Sequence, residues 1–214
     1  MAKARTANLA LLVCAMGVAG VSLAQGPAFD CAKARGEVEQ AICADASLVA
    51  LDRKLDEAYK VALAKAKGKF AAQLRSEQRG WVKGRNECWK ANGQPTWITA
   101  TWTVDTVKGC IEAQYRLRTS ELQSVWRLQQ PKTVFYACQN NPANEVVTNF
   151  FETDPATIRL ERGDRTVTLW EVGKPGAGNF EGQNVGLMHH GDDVNVSWLD
   201  TETGQTDDLR CKAK

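Results

Sequence analysis

Histidine is scarce in this chain. There are two in 214 residues, and they are neighbours, His189 and His190. With both in one turn, no nucleophile elsewhere has a histidine base assigned to it, and nothing singles out a working pair of carboxylates. The expectation is a protein that is not an enzyme. Closely spaced cysteine pairs are also lacking: no C-x-x-C occurs, which argues against zinc. Adjacent histidines on a strand point to opposite faces, so His189 and His190 cannot easily share one ion, and Asp192 and Asp193 are better read as turn-shaping residues. No metal and no cofactor is therefore expected. Long apolar runs are missing too. The one candidate, Leu9 to Leu23, is too short and too poorly flanked for a membrane span. Beyond it there is no internal repeat and no low-complexity tract.

That first stretch has another reading. Lys3 and Arg5 form a basic head, Leu9 to Leu23 an apolar segment, and Ser22-Leu23-Ala24 a small-residue exit, the pattern of a secretory signal peptide cleaved after Ala24. Cys14 follows Leu12 and Val13, residues too bulky for the position before a lipidated cysteine. The expected location is the periplasm or the exterior of a bacterial envelope. Cleavage leaves six cysteines, Cys31, Cys43, Cys88, Cys110, Cys138 and Cys211, and an even number in an exported chain reads as three disulfides.

Charge divides the mature chain. Residues 25–131 carry 17 basic and 12 acidic side chains, a net +5, and residues 132–214 carry 8 and 13, a net −5. The acidic half suits a cationic partner, or it rests against the basic half of its own chain.

Periodicity changes at the same seam. Leu48, Leu51, Leu55, Tyr59 and Ala62 recur at helical spacing over Asp45–Lys67, with Asp45 or Ser47 as cap and Gly68 as stop. A second helix is expected over Phe70–Trp89, with Phe70, Leu74, Trp81 and Cys88 on one side. A third runs from about Val104 to Trp126, carrying Val107, Ile111, Tyr115, Leu122 and Val125. A short helical turn covers Val38–Ala44. Past Gln129-Gln130-Pro131-Lys132 the period becomes two: Val134/Tyr136/Cys138, Val146/Thr148/Phe150, Ile158/Leu160, Val167/Leu169 and Val194/Val196/Trp198, with turn signals between them. Seven or eight short strands at this spacing imply an antiparallel barrel or sandwich. The expected fold class is α+β by separate domains. The divisions are a signal peptide (1–24), a disulfide-linked helical bundle (25–128), a linker (129–132) and a β-domain (133–214).

The cysteines fit these divisions, although six allow fifteen pairings in principle. Nearest-neighbour pairing keeps each bridge inside one domain. A Cys138–Cys211 bridge would close the longest loop, worth on the order of 4 kcal/mol in the chain-entropy model.

Two stretches carry a resemblance. FDCAKARGEVEQAICADASLVALDRKLDEAY, EQRGWVKGRNEC and CIEAQYRLRTSEL, within Phe29–Leu122, resemble the LprI-like lysozyme inhibitor N-terminal domain. Asp30, Glu39, Asp52, Tyr59, Gln78, Trp81, Arg85, Tyr115 and Arg118 fall where that pattern expects them. The resemblance implies a secreted, disulfide-linked helical domain of bacterial envelopes, with lysozyme inhibition attributed to some members. Tyr136-Ala137-Cys138 and the closing Cys211 resemble the membrane-bound inhibitor of C-type lysozyme family, which implies an eight-stranded barrel. There a serine in Ser-Gly-x-x-Tyr and a lysine in Lys-Gly-Asp are implied to enter the lysozyme cleft. Here Gly176 stands at the serine position, Ala177 at the glycine, Phe180 at the tyrosine, and His190-Gly191-Asp192 replaces Lys-Gly-Asp.

The expected binding loop is thus Gly176, Ala177, Gly178, Asn179 and Phe180 with the His190, Gly191 and Asp192 turn. Small residues let backbone approach a cleft closely. His190 could donate to one of the two carboxyls on which a glycosidase depends, more strongly when protonated. The plain alternative is an ordinary turn beside an exposed histidine. The expected partner is a lysozyme or lysozyme-like peptidoglycan hydrolase, with no nucleic acid. Other readings are immunity against a competitor's peptidoglycan-cleaving toxin, or an envelope protein that binds a glycan or other ligand, for which Trp97 and Trp102 offer stacking faces. Trp81 is expected to pack, Asp52 to pair with Arg85 or Arg118, and Arg162-Gly163-Asp164 to form a hairpin turn.

Overall fold

The computed structural model describes residues 26–99 and 101–214. The signal segment, Cys14 and the cleavage point after Ala24 lie outside the described residues. Among the described residues, no helix is long and apolar enough to cross a membrane.

Among the described residues the first half holds four α-helices, α1 (Glu37–Ala44), α2 (Ala46–Lys65), α3 (Lys69–Asn86) and α4 (Val107–Val125), with a two-stranded ribbon, β1 (Thr96–Trp97) and β2 (Thr103–Val104), before α4. Asp45 starts α2: its Oδ1 accepts from the N–H groups of Ser47 at 2.8 Å and Leu48 at 3.3 Å. This satisfies donors that a helix start leaves unpaired. Leu48, Leu55, Ala58 and Ala62 form its buried stripe. Thr106 caps α4 by accepting from Gly109 N–H at 3.1 Å. The bundle core gathers these residues with Val38, Ile42, Leu74, Ile111, Tyr115 and Leu122.

Two apolar residues assigned to helix faces are not in this core. Phe70 is 54% exposed and Val125 is 41% exposed. Phe70 sits in the first turn of α3, where its ring receives the Lys69 ammonium instead of a core neighbour. Val125 ends α4, while the neighbouring Ser124, Ser120 and Thr119 are buried. The reason is that α4 has two buried faces. Ile111, Tyr115 and Leu122 face the bundle, and the small polar face packs on the barrel, where Trp170 donates its indole N–H to Ser120 Oγ at 3.0 Å.

The second half is a closed antiparallel barrel of eight strands in sequential order: β3 (Lys132–Cys138), β4 (Asn141–Phe151), β5 (Thr157–Arg162), β6 (Arg165–Glu171), β7 (Asn179–Gly182), β8 (Val185–His190), β9 (Asp193–Leu199) and β10 (Thr206–Ala213). Closure pairs β10 with β3 and places Cys211 opposite Cys138. A closed barrel has no free edge. Inward residues include Tyr136, Val146, Leu160, Leu169, Phe180, Leu187 and Val196. Arg162-Gly163-Asp164 forms the β5–β6 hairpin turn, with Arg162 opposite Arg165 and Gly163 at φ +59°.

All three bridges follow nearest-neighbour pairing: Cys31–Cys43, Cys88–Cys110 and Cys138–Cys211. The expected ion pair takes a different form. Asp52 reaches Arg85 only through the Tyr115 hydroxyl, while Arg118 pairs with Glu121 at 2.8 Å.

Candidate functional site

Strand direction gathers one set of connections at one barrel end. The β4–β5 loop, the β6–β7 loop, the β8–β9 turn, the segment entering β3 and the C-terminus all lie there. Gly176 to Gly178 and His190 to Asp192 are therefore brought to the same rim, although β7 and β8 separate them in sequence.

Glycine builds the β6–β7 loop. Gly173, Gly176 and Gly178 have φ values of +75°, +78° and +75°, a region other residues enter only with strain. Glu171, the last residue of β6, holds the loop from below. Its Oε1 accepts from Gly176 N–H at 2.7 Å and Gly178 N–H at 3.4 Å. Ala177 N–H bonds Lys174 O at 3.0 Å, and Val172 N–H bonds Asn179 O at 2.9 Å. Lys174, Pro175, Gly176 and Ala177 stand exposed at the tip.

The β8–β9 connection is a two-residue turn, Gly191–Asp192, closed by the His190–Asp193 pair. His189 N–H bonds Gly178 O at 2.9 Å, which locks the turn strand to the loop. The two imidazoles diverge. His189 Nε2 lies 3.4 Å from the Tyr136 hydroxyl, at the barrel mouth. Burial pushes the Tyr136 hydroxyl above its ordinary range; Thr148 opposes this by hydrogen bonding and the Asp192 charge adds to it. Tyr136 therefore stays protonated near neutrality.

Clefts flank the loop on more than one side. The barrel mouth holds a cavity of about 670 Å³, lined by Gly176, Gly178, His189, Tyr136, Glu171 and the 129–132 segment among others. On the other side a cleft of about 540 Å³ lies between the helical half and the barrel, where Trp102 and Arg116 face Asp154, Gly173 and Pro175. Arg116 Nε donates to both Asp154 oxygens at 3.1 Å, and its guanidinium lies 6.0 Å from the Trp102 ring. Thr99 reaches across to Glu181 at 3.5 Å. Trp97, by contrast, is 69% exposed and far more open than Trp102, which is half-buried.

Of the residues singled out by sequence, Gly176 and Gly178 line the mouth cavity, Ala177 stands at the tip, and Gly191 and Asp192 form the turn. Asn179 is exposed at the start of β7. Phe180 is inside the barrel, 5% exposed, with its ring edge-on to Phe150 at 6.2 Å; it supports the loop from within. His190 is exposed beside the turn but does not line the mouth cavity, whereas His189 does. Two residues gain importance that sequence reasoning passed over. Glu171 is the loop's anchor, and Lys174 is a cation at its tip. A glycine-rich loop following a strand-end glutamate was the available signal for the first; a lysine within the Lys174-Pro175-Gly176 turn was the signal for the second.

Residues 31–122 match the family model described as lysozyme inhibitor LprI. The chain is similar to Lipoprotein LprI of Mycobacterium bovis, 27% identical over 177 residues, which covers 81% of this chain and 80% of that one. The Mycobacterium tuberculosis protein of the same name matches to the same extent. The family match lies in the helical half; the likeness to Lipoprotein LprI spans most of the chain. No solved structure matches.

Proposed function

We propose that this protein is an exported inhibitor of a lysozyme-like muramidase of the cell envelope, and that the barrel rim is the part that blocks the enzyme. The observation that carries the reading is the coincidence of a lysozyme-inhibitor family match over residues 31–122 with an exposed, glycine-built loop held from below by Glu171. The loop is narrow enough to enter a cleft, and its exposed backbone brings few side chains with it. Pre-organisation by Glu171 lowers the ordering cost of binding.

The chemistry at the rim differs from a serine–lysine pair. Gly176 offers no hydroxyl, and the N–H groups of Gly176 and Ala177 are bonded within the loop, so their carbonyls are what the backbone presents, as acceptors for the protonated carboxyl of the enzyme. The cation comes from Lys174 at the tip, with His189 or His190 adding donors from the neighbouring turn. An ammonium placed against the ionised carboxylate of a glycosidase contributes roughly 1.5–3 kcal/mol as a charge-assisted hydrogen bond. The net −5 of residues 132–214 favours encounter with a basic enzyme.

A turbidity assay of muramidase action on bacterial walls tests the reading. Inhibition at micromolar excess is expected, with loss on Ala177→Trp, which plugs the tip, and weakening on Lys174→Ala. Full muramidase activity across C-type and other lysozymes in the presence of the protein would overturn the reading. Inhibition untouched by Ala177→Trp would remove the barrel rim from it.

A further inference from the structure

The helical half holds a cavity of its own, remote in sequence from the barrel rim, and its wall contains an unusual charge. Arg85 is 4% exposed, yet no carboxylate among the described residues makes a salt bridge to it. Its partners are neutral: Nε and Nη2 donate to Asn86 Oδ1 at 3.1 and 2.8 Å, and Nη1 donates to the Tyr115 hydroxyl at 2.7 Å. The guanidinium sits 5.6 Å from both the Trp81 and Tyr115 ring centres. The Tyr115 hydroxyl donates onward to Asp52 Oδ1 at 2.7 Å, and Asp52 Oδ2 accepts Ala28 N–H at 2.6 Å. Burial pushes the Tyr115 hydroxyl well above its ordinary range, so it holds its proton and keeps the guanidinium and the carboxylate apart.

A buried cation normally has an anion in direct contact, because desolvation without one is expensive. The guanidinium fork has donors to spare: after these three bonds, one N–H on each terminal nitrogen has no partner among the described residues. A free N–H on each terminal nitrogen gives the guanidinium one donor for each oxygen of a carboxylate. Arg85 lines a cavity of about 380 Å³ together with Asp52, Trp81, Tyr59, Glu39 and Asp56. That volume is at the low end for a small-molecule site.

The rim adds the second half of the recognition. Glu39 and Asp56 are both half-buried at the cavity; Asp56 Oδ2 pairs with the exposed Lys60 at 2.6 Å, so Glu39 is the stronger of the two, its Oε2 accepting Arg35 N–H at 3.2 Å and its other oxygen left available. Asp30 and Lys33, also on the rim, lie 3.6 Å from each other and largely cancel. A buried guanidinium below rim carboxylates repels a dianion such as phosphate and gives a neutral sugar nothing to neutralise. It suits one ligand with both charges.

We propose that this cavity binds a small zwitterion of amino-acid type, its carboxylate on Arg85, its ammonium toward Glu39 and Asp56, and its side chain against Tyr59 and Trp81. The same chemistry is offered by a free amino acid and by a short peptide with free ends. This inference stands apart from muramidase inhibition and does not depend on it.

The test is a titration of the mature chain, followed by the Trp81 indole N–H signal in NMR and by calorimetry. The probes are L-leucine, D-alanyl-D-alanine, N-acetyl-L-leucine, L-leucinamide, inorganic phosphate and N-acetylglucosamine. L-leucine or the dipeptide is expected to bind, and whichever binds more tightly identifies the source. Capping either end is expected to weaken binding at least about tenfold. Glu39→Gln is expected to weaken L-leucine while leaving N-acetyl-L-leucine unchanged, a pattern that loss of folding would not produce. Capped ligands that bind as well as L-leucine would overturn the proposal. So would tighter binding of phosphate or N-acetylglucosamine, or no shift at the cavity with either zwitterion at about 10 mM.

Discussion

Gly178 and His189 touch backbone to backbone: the His189 N–H bonds Gly178 O at 2.9 Å, and a Cβ built on Gly178 would lie 2.9 Å from the Cβ of His189. This one contact joins the β6–β7 loop to the strand that carries the histidine turn. It makes glycine obligatory at 178 for two reasons, the positive φ and the lack of room.

Gly178→Ala is therefore expected to destabilise the fold by about 1–3 kcal/mol, combining left-handed strain with a clash against backbone-fixed atoms. Gly176→Ala meets open space and has only the φ penalty, about 1 kcal/mol. Urea midpoints of the two variants check the order. Equal losses would mean that the Gly178–His189 contact is not tight.

Glu171→Ala removes the acceptor for Gly176 and Gly178. The expected result is faster amide exchange confined to residues 173–178, with weaker muramidase inhibition and a global stability change of only about 1 kcal/mol, since Glu171 is half-exposed. Glu171→Gln keeps one acceptor oxygen and is expected to fall between. Hydrogen-exchange mass spectrometry reads the loop directly, and protection unchanged in the alanine variant would remove Glu171 from its anchoring role.

Asp45 and Lys108 give a pH signature. The Lys108 ammonium, 2.7 Å away, holds the Asp45 carboxyl well below the usual carboxylate range, helped by Ser47 and the α2 N–H groups. Asp45 in turn raises Lys108. A depressed carboxyl contributes stability above its unfolded pKa, about 4, and loses that contribution as pH falls further. A raised lysine contributes below about 10.4 and loses it as pH rises. The stability gap between wild type and Lys108→Met is thus expected to be flat from about pH 5 to 9 and to shrink on both sides. Urea titrations at several pH values check it; a gap that grows in acid would contradict the assignment.

Trp170→Phe removes the indole donor to Ser120, while Ser120 Oγ still donates to Leu117 O at 2.9 Å. A loss of about 0.5–1.5 kcal/mol is expected. Ser120→Leu is a harsher test, because Ser120 is fully buried where α4 meets the barrel. Overpacking there is expected to separate one unfolding transition into two, measurable by calorimetry. Arg116→Ala, on the exposed Asp154 pair, is expected to change stability by less than about 1 kcal/mol.

Much of the fold could be read in the chain. The stripe from Leu48 to Ala62 announces α2, and the alternation Val134/Tyr136/Cys138 announces β3, because helix and strand periods differ and only one face of each is buried. Phe70 and Val125 fit a helical stripe and are nonetheless exposed, because a period marks a face but says nothing about whether a partner covers the helix end. Ser120 and Ser124 were invisible as core residues for the opposite reason: small polar side chains are buried only because a second body, the barrel, lies against them.

The candidate site divides in the same way. The glycines of residues 173–178 and the His-Gly-Asp-Asp turn are local signals, since positive φ is a property of single residues. The sequence by itself thus determined the helical half, the strand-rich half, the six cysteines available for bridging and the loop chemistry. Only the tertiary structure decided that His189 rather than His190 meets Tyr136, that Glu171 holds the loop, and that Arg85 is buried without a carboxylate. These are relations between residues distant in the chain, set by barrel closure and helix packing, and no local period encodes them.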